Sequence, residues 1–372
     1  MTSKERLICA LNREKPDRLP ATIHQWQSYH LDQYMGGITD LEAFDRVGLD
    51  AQVQYFEEMD QFWLTDADFT KLNTRDWRDE PEVISRDPDN RIVHHTIHTP
   101  EGILSYKTAG DRKTTWITEY MIKHDEDITL IDKYMPVPTL TLKPIAERYS
   151  EVGDRGILRG FVWGDQGGCW QHAACLVDIQ RLIMAALEKP DWVHELLNAL
   201  LNKKLQFIES MKGARFDLVE SGGGSGSSTL ISPGLHEEFC LPYDRKMHDA
   251  LHSLGFRVTY HICGGSYGLE EQIAANGADA FETLAPPSVG GNQEPWDFKE
   301  KMGGRMALIG GLDQFSVLTS GSRKDIRDKV TELFEKVGGD GGYICSASDH
   351  FFETPVDNLK AFAEAARDCV YI

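Results

Sequence analysis

The 372-residue sequence has few features of a membrane, secreted or nucleic-acid-binding protein. It contains no apolar run of about 18 residues, so it predicts no transmembrane helix. Its 39 Lys and Arg residues are outnumbered by 59 Asp and Glu residues, and the net charge of −20 argues against nucleic acid or an anionic membrane as a partner. The opening MTSKERLICALNREKPDR lacks the apolar stretch of a signal peptide. We therefore expect a cytoplasmic protein.

A regular cysteine pattern is also missing. The seven cysteines are odd in number and irregular in spacing, which argues against a disulfide framework and favours free thiols or metal ligands. No internal repeat or low-complexity segment is recognisable, and we interpret the glycine-rich run GGGSGSS at 222–228 as a loop between a strand and a helix. With 41% hydrophobic and 26% charged residues, the composition is typical of a chain with a packed core.

What the sequence does contain is an alternation of short β-rich runs with longer helical patterns, which is typical of parallel βα units. Eight core strands are predicted, at Leu19–His24, Ala51–Glu57, Ile157–Trp163, Phe216–Ser221, Arg257–Cys263, Ala278–Leu284, Met306–Leu312 and Gly342–Ser346. Helices are predicted over Asp191–Met211 and about Val356–Arg367 from apolar spacing near 3.6 residues. Residues 85–122 instead predict antiparallel strands joined by turns. The predicted fold class is therefore α/β, a (β/α)8 TIM barrel forming a single domain over 1–372, with an antiparallel β insertion at 85–122 after the second strand.

The predicted ends of these strands are where an active site is expected in such a barrel. The sharpest signal is His261-x-Cys263, because residues two apart on a strand point to the same face. Cys345, on the last predicted strand, adds a second thiol, and Glu282 adds an optional carboxylate. One imidazole and two thiolates with a carboxylate suit a zinc ion. The alternative is that Cys263 and Cys345 are ordinary buried cysteines.

Other polar and aromatic residues at the predicted strand ends carry less specific signals. Glu220 is interpreted as a metal ligand or catalytic base, or as a capping partner of the glycine loop. Asp349 and His350 are candidate catalytic residues, although a solvated loop histidine is an alternative for His350. The tryptophans would suit a flat aromatic substrate, although such residues more often belong to the core. The candidate substrate-binding residues are His24, Trp26, Trp163 and Asp313.

Several segments resemble the uroporphyrinogen decarboxylase superfamily, and specifically its corrinoid-dependent methyltransferase branch. They are ERLICALNREKPDRLP, ISPGLHEEFCLPYDRKMHDALHSLG followed by YHICGG, ALIGGLDQ, and GGYICSASDHFFETPVDNLKAF. The resemblance implies a zinc methyltransferase that works with a cobalamin-carrying protein, with His261, Cys263 and Cys345 matching its H-x-C…C motif. In the thiol-methylating members the last Cys lies slightly later, nearer Ser348. The order of ligands is also similar to that of cobalamin-independent methionine synthase, which makes Glu282 a candidate fourth ligand.

The decarboxylases of this superfamily use arginines just after the first strand, where this sequence reads IHQWQSYH and has none. We therefore expect zinc-dependent transfer of a methyl group from a methyl ether, such as a methoxylated aromatic, to the Co(I) corrinoid of a partner protein. Alternatives are methyl transfer from a methylcobamide to a thiol or a folate, decarboxylation of a tetrapyrrole, and a non-enzymatic corrinoid-binding module. The sequence shows no cobalamin-binding motif of its own, so a corrinoid protein is the expected partner. A homodimer is a further expectation.

Overall fold

The computed structural model of the protein describes residues 1–55, 72–164 and 167–372. Twelve strands lie in these ranges: β1 (Ala21–Thr22), β2 (Ala51–Gln54), β3 (Arg78–Asp87), β4 (Asn90–Thr99), β5 (Gly102–Gly110), β6 (Thr115–Glu119), β7 (Gly156–Phe161), β8 (Leu218–Gly222), β9 (Val258–His261), β10 (Ala280–Thr283), β11 (Ala307–Leu312) and β12 (Tyr343–Ala347). Eight of them form a parallel sheet in the order β1-β12-β11-β10-β9-β8-β7-β2. A backbone hydrogen bond of 2.8 Å from Asp50 N to Ala21 O joins the two ends of this sheet, next to β2 and β1. The (β/α)8 barrel predicted from the sequence is therefore confirmed.

Helices alternate with the barrel strands. In the described ranges they are α1 (Ser3–Leu11), α2 (Ser28–Tyr34), α3 (Asp40–Val47), α4 (Asp127–Tyr134), α5 (Leu142–Val152), α6 (Cys169–Leu176), α7 (Ile179–Glu188), α8 (Pro190–Ser210), α9 (Pro233–Phe239), α10 (Leu241–Ser253), α11 (Glu270–Ala275), α12 (Pro295–Met302), α13 (Arg323–Leu333) and α14 (Val356–Asp368). Short 3-10 turns at Gly153–Arg155, Gly224–Gly226 and Pro287–Val289, and π-helical turns at Gln314–Thr319 and Phe334–Gly338, complete the helical structure. In the part of the chain that the structure describes, no helix is both long and apolar enough to cross a membrane.

All eight predicted core strands are present, but their ends differ from the prediction. The first is the most shortened, since only Ala21–Thr22 pairs with its neighbour β12. Residues 56 and 57 of the predicted second strand, and residues 165 and 166 after the third, lie outside the described ranges. The helices predicted over Asp191–Met211 and Val356–Arg367 are confirmed within one residue, as α8 and α14.

The antiparallel insertion is larger than predicted. It follows the second barrel strand and consists of four strands in the order β3-β4-β5-β6, from Arg78 to Glu119 rather than over 85–122. The missed strand is β3, which contains Pro81 and six charged residues. Such a composition weakens a strand signal, but it is tolerated here because β3 lies at the edge of the sheet.

The lower end of the barrel is closed by α1. Its side chains Leu7, Ala10 and Leu11 pack against inward-facing residues of the strands, which are Ile157, Leu218, Ala280, Ala307, Ile309 and Ile344. Side chains alternate between the two faces of a strand, so these contacts identify which residues face the barrel axis. The residues two positions further along β7, β8 and β10 therefore also point inward, toward the upper, C-terminal end of the barrel.

Candidate active site

Four charged or titratable side chains fill the upper interior of the barrel. Arg159, Glu220, His261 and Glu282 come from the neighbouring strands β7, β8, β9 and β10, and none of them is more than 1% exposed. Buried charges are stable only when they are paired. Three of these side chains point inward because side chains alternate along a strand: Arg159, Glu220 and Glu282 each follow by two positions an apolar residue that faces the barrel axis.

Arg159 binds both carboxylates. Its guanidinium donates a hydrogen bond of 3.0 Å to Glu282 Oε1 and shorter bonds to Glu282 Oε2 and Glu220 Oε2. Burial by itself lowers the pKa of Arg159, but the two glutamate charges outweigh this effect and raise it. Burial would likewise raise the pKa of Glu282, whereas the charges of Arg159 and His24 hold it well below its usual range. The arginine therefore keeps Glu282 ionised inside the barrel.

The carboxylates in turn contact the Nδ1 atoms of two histidines. Glu282 Oε1 lies 3.3 Å from Nδ1 of His24, and Glu282 Oε2 lies 3.5 Å from Nδ1 of His261. Glu220 Oε1 is 3.3 Å from the same His261 nitrogen. A carboxylate at Nδ1 fixes the orientation of an imidazole and leaves Nε2 as the atom that can bind a metal or a substrate. His261 Nε2 is buried and has no hydrogen-bond partner among the described residues.

The charge around His261 favours a cation at its ring. Burial lowers the pKa of His261, but the charge of Glu220 and the nearby Cys263 and Glu282 side chains outweigh burial and raise it well above 6.5. The same field would stabilise a metal ion at Nε2 in place of a proton. The electrostatic environment of His261 therefore stabilises a positive charge at its ring.

Cys263 and Asp349 lie next to His261. One ligand atom from each of His261, Cys263 and Asp349 falls within 4.8 Å of the other two. Gly224, in the glycine-rich loop after β8, approaches this group closely, since a Cβ at that position would lie 2.8 Å from Cys263 Sγ. The interpretation of 222–228 as a loop between a strand and a helix is thus confirmed, and its backbone packs against the cysteine.

A second group overlaps the first. His24, Asp349 and His350 also bring one ligand atom each within 4.8 Å of one another. Burial and the charge of His24 lower the pKa of His350 to about 4, so this ring is neutral at pH 7. Burial raises the pKa of Asp349, but electrostatic interactions with His350, His261 and His24 outweigh burial and lower it. Asp349 is therefore an ionised carboxylate between the two groups.

The structure contradicts the prediction that Cys345 faces the barrel mouth. Ile344 points into the barrel, so Cys345 points outward, where it is fully buried near Tyr343 and Cys369. Burial raises the pKa of its thiol to about 12. The position predicted for the second thiol is instead occupied by Asp349, four residues later. Glu282 contacts the Nδ1 atoms of His24 and His261. Together with Glu220 these residues form a further group whose ligand atoms lie within 4.8 Å of one another, and Cys263 is not part of that group.

Three predicted substrate-binding residues do not join this cluster. Trp163 packs its ring edge-on against His172 of α6, and Lys204 of α8 lies over the same ring. Trp26 packs edge-on against Phe44 of α3 and Phe351, and is 7% exposed. Asp313 accepts hydrogen bonds of 2.8 Å from the backbone N–H groups of residues 315 and 316, which caps a π-helical turn. It also lines a cavity of about 200 Å³ with side chains of α12 and α13. Of the four, only His24 lies in the cluster.

Arg159 was missed by the sequence reasoning. It stands in the buried run GILRGF, and a lone arginine among apolar strand residues indicates a buried ion pair. That signal was present in the sequence, but which carboxylates it binds depends on the neighbouring strands β8 and β10. Of the predicted residues, the structure brings together His24, Glu220, His261, Cys263, Glu282, Asp349 and His350.

Fold and site together define a (β/α)8 barrel whose C-terminal mouth concentrates metal-ligand types of side chain. Comparison with protein families is more specific, since the sequence model described as uroporphyrinogen decarboxylase (URO-D) matches residues 91–369. The chain belongs to this family. The match covers both the insertion from β4 onward and the barrel from β7 to α14.

Individual relatives fall into two groups. A methylated-thiol–coenzyme M methyltransferase of Methanosarcina mazei is 27% identical over 39% of this chain and 36% of that protein. The chain thus spans about a third of that relative. A uroporphyrinogen decarboxylase of Nostoc punctiforme is 26% identical over 76% of this chain and 78% of that protein. A solved methyltransferase from Methanosarcina mazei shares the fold, with a TM-score of 0.67, 16% identity and 99% coverage of both chains.

Proposed function

We propose that the protein transfers a methyl group from a methyl ether to the corrinoid of a partner protein, with a zinc ion held by His261, Cys263 and Asp349. The observation that carries the proposal is the convergence of a nitrogen, a sulfur and an oxygen ligand within 4.8 Å at the barrel mouth. The methyltransferases among the relatives support the same reaction class. The proposed ligand set replaces Cys345 by Asp349, because Cys345 faces away from the mouth.

The residues present fit a zinc ion. His261 offers a buried Nε2 without a partner in the described ranges, and the carboxylates at its Nδ1 increase its basicity as a ligand. Cys263 and Asp349 complete a donor set of types that zinc accepts. Three protein ligands leave a position for substrate, which is the arrangement of catalytic rather than structural zinc sites.

The donor set favours an ether oxygen as the bound group. When bound, zinc would act as a Lewis acid on that oxygen and make the departing phenolate a better leaving group. A carboxylate donates less charge to a metal than a second thiolate does, so His, Cys and Asp keep the ion more acidic than His with two Cys.

Decarboxylation of a polycarboxylate is less compatible with this interior, although decarboxylases are among the relatives. Recognition of substrate carboxylates requires unpaired guanidinium groups. Arg159 is bound on two sides by Glu220 and Glu282, so its charge is already neutralised. The extra carboxylates would repel an anionic substrate from the base of the site.

A donor panel tests the proposal. The full chain, stripped of metal and reloaded with one equivalent of Zn²⁺, is incubated without oxygen with Co(I) cobalamin and one donor at a time. The donors are methoxylated aromatics, a methylated thiol and a methylated folate, and the readout is the absorbance of methylcobalamin. We expect product from a methoxylated aromatic and a loss of more than roughly 100-fold in Cys263→Ser. Cys345→Ser is the matched control and should keep its activity.

The other outcomes separate the alternatives. Product from the thiol or the folate alone would replace the ether by that methyl-group carrier. Carbon dioxide release from uroporphyrinogen, with no methyl transfer, would refute the proposal and support decarboxylation instead. Equal activity of Cys263→Ser and the native chain would refute the proposed role of the thiolate.

A further inference from the structure

The barrel mouth holds a second group of candidate metal ligands, which shares Asp349 with the proposed zinc site but adds two other histidines. It consists of His24, from the loop after β1, and Asp349 and His350, from the loop after β12. These loops are neighbours because β1 pairs in parallel with β12, with Thr22 opposite Ser346. One ligand atom from each of the three side chains lies within 4.8 Å of the other two.

Both rings of this group are oriented as ligands. His24 is 2% exposed, and its Nδ1 is 3.3 Å from Glu282 Oε1, a carboxylate contact typical of metal-binding histidines. His350 Nε2 is buried and has no hydrogen-bond partner among the residues described. The two ring centroids are 4.9 Å apart, and one ring nitrogen of each lies within 4.8 Å of the other and of an Asp349 oxygen. Buried imidazole nitrogens are usually hydrogen-bonded or bound to a ligand, so this unpartnered nitrogen is a candidate ligand atom.

We infer that the barrel mouth binds a second divalent transition-metal ion at His24, Asp349 and His350. Two imidazoles and one carboxylate bind zinc, iron(II) or manganese(II) and leave open positions for small molecules. Asp349 belongs to both groups, so it would be shared between the two ions. Glu282 contacts both His24 and His261 and would orient one ligand of each ion.

The charge balance allows two ions. Glu220, Glu282 and Asp349 supply three carboxylates, and Cys263 supplies a thiolate when it binds metal, whereas Arg159 supplies the fixed positive charge. The side chains of Asp349 and His350 are 29% and 25% exposed, so this group lies at the edge of the mouth, although His350 Nε2 itself is buried. This inference depends on ligand geometry alone and goes beyond the proposed methyl transfer.

The test is a titration of the metal-stripped full chain, without an affinity tag, with Co²⁺. Bound cobalt is counted by mass spectrometry, and a near-ultraviolet thiolate-to-cobalt band reports occupation of the Cys263 site. We expect two equivalents to bind, of which only one produces the band. His350→Ala should bind one equivalent and keep the band, and Cys263→Ser should bind one equivalent without it. The matched control is His98→Ala, on the antiparallel sheet, which should bind two.

Several outcomes would overturn the inference. The native chain could saturate at one equivalent, or His350→Ala could bind as many ions as the native chain. His350→Gln serves the same purpose if circular dichroism shows that the alanine variant does not fold. Failure of methyl transfer with two bound equivalents would refute the proposed function and leave the second site intact. Methyl transfer by a chain that binds only one equivalent would support the proposed function and refute the second metal site.

Discussion

Replacing Arg159 with methionine tests whether its guanidinium holds the buried cluster together. Arg159 is fully buried and makes three hydrogen bonds to two carboxylates, one of them 3.0 Å long. Methionine fills a similar length without charge. The variant would therefore leave Glu220 and Glu282 buried without their cationic partner, next to two histidines.

The size of the effect follows from these contacts. Removing one partner of a buried ion pair costs about 3–5 kcal/mol, because the remaining charge stays desolvated. His24 and His261 lie within 3.5 Å of the carboxylates and offset part of the loss, so we expect the lower end of this range. Arg159→Lys keeps the charge but loses the forked geometry, and we expect about 1–2 kcal/mol.

The measurement is urea unfolding at pH 7, followed by tryptophan fluorescence and by circular dichroism, with coincident transitions required for a defined free energy. The control is Arg112→Met, which removes the exposed pair with Asp89 and should leave stability unchanged. A loss below about 1 kcal/mol in Arg159→Met would show that the glutamates do not depend on the arginine, against the buried-pair argument. A loss equal in Arg159→Lys and Arg159→Met would show that geometry, rather than charge, decides the effect.

Three further predictions concern thiols, loop packing and pH. Cys345→Ser should keep the cobalt–thiolate band and Cys263→Ser should lose it, because only Cys263 lies at the mouth; the reverse pattern would restore the original ligand assignment. Gly224→Ala should weaken metal binding by roughly 10-fold or more, because the added Cβ would lie 2.8 Å from Cys263 Sγ. The control is Gly234→Ala, whose Cβ would have its nearest neighbour at 3.9 Å and should leave metal affinity unchanged. Competition with a chelator measures the metal affinity of both variants. Burial raises the pKa of Asp244 from 3.8 to about 7, so between these pH values the folded chain holds a proton that the unfolded chain has released. The free energy of unfolding should therefore fall by up to roughly 4 kcal/mol as the pH rises from about 4 to about 7. Asp244→Asn should remove that decline. The measurement is urea unfolding of the native chain and of the variant at pH 5 and pH 8, and an equal loss of unfolding free energy in both proteins would contradict the assignment to Asp244.

The position of Cys345 shows where sequence reasoning about the site failed. The strand β12 reads YICSA and is buried on both faces, so no polar alternation marks which side chains face the axis. If the assignment of inward-facing residues is wrong by one position, Cys345 is expected to face the barrel axis where Ile344 does. Asp349 instead brings a third candidate ligand atom beside His261 and Cys263, from a loop where strand periodicity no longer predicts side-chain direction.

The insertion shows a similar limit. Three of its four strands were predicted, because alternating residues and turns are local features. β3 was missed because its Pro81 and charged side chains are compatible with a strand only at a sheet edge, and edge position is a property of the assembled sheet.

The sequence by itself determined the order of strands and helices, the barrel class and the candidate motif His261-x-Cys263, since these depend on local periodicity, glycine loops and short spacing. Only the tertiary structure decided which donors meet. Arg159 joins Glu220 and Glu282 across strands more than 60 residues apart, and Asp349 reaches His261 from the far end of the chain. Closure of the barrel brings these charges together, and their mutual pairing in a buried interior makes the arrangement stable.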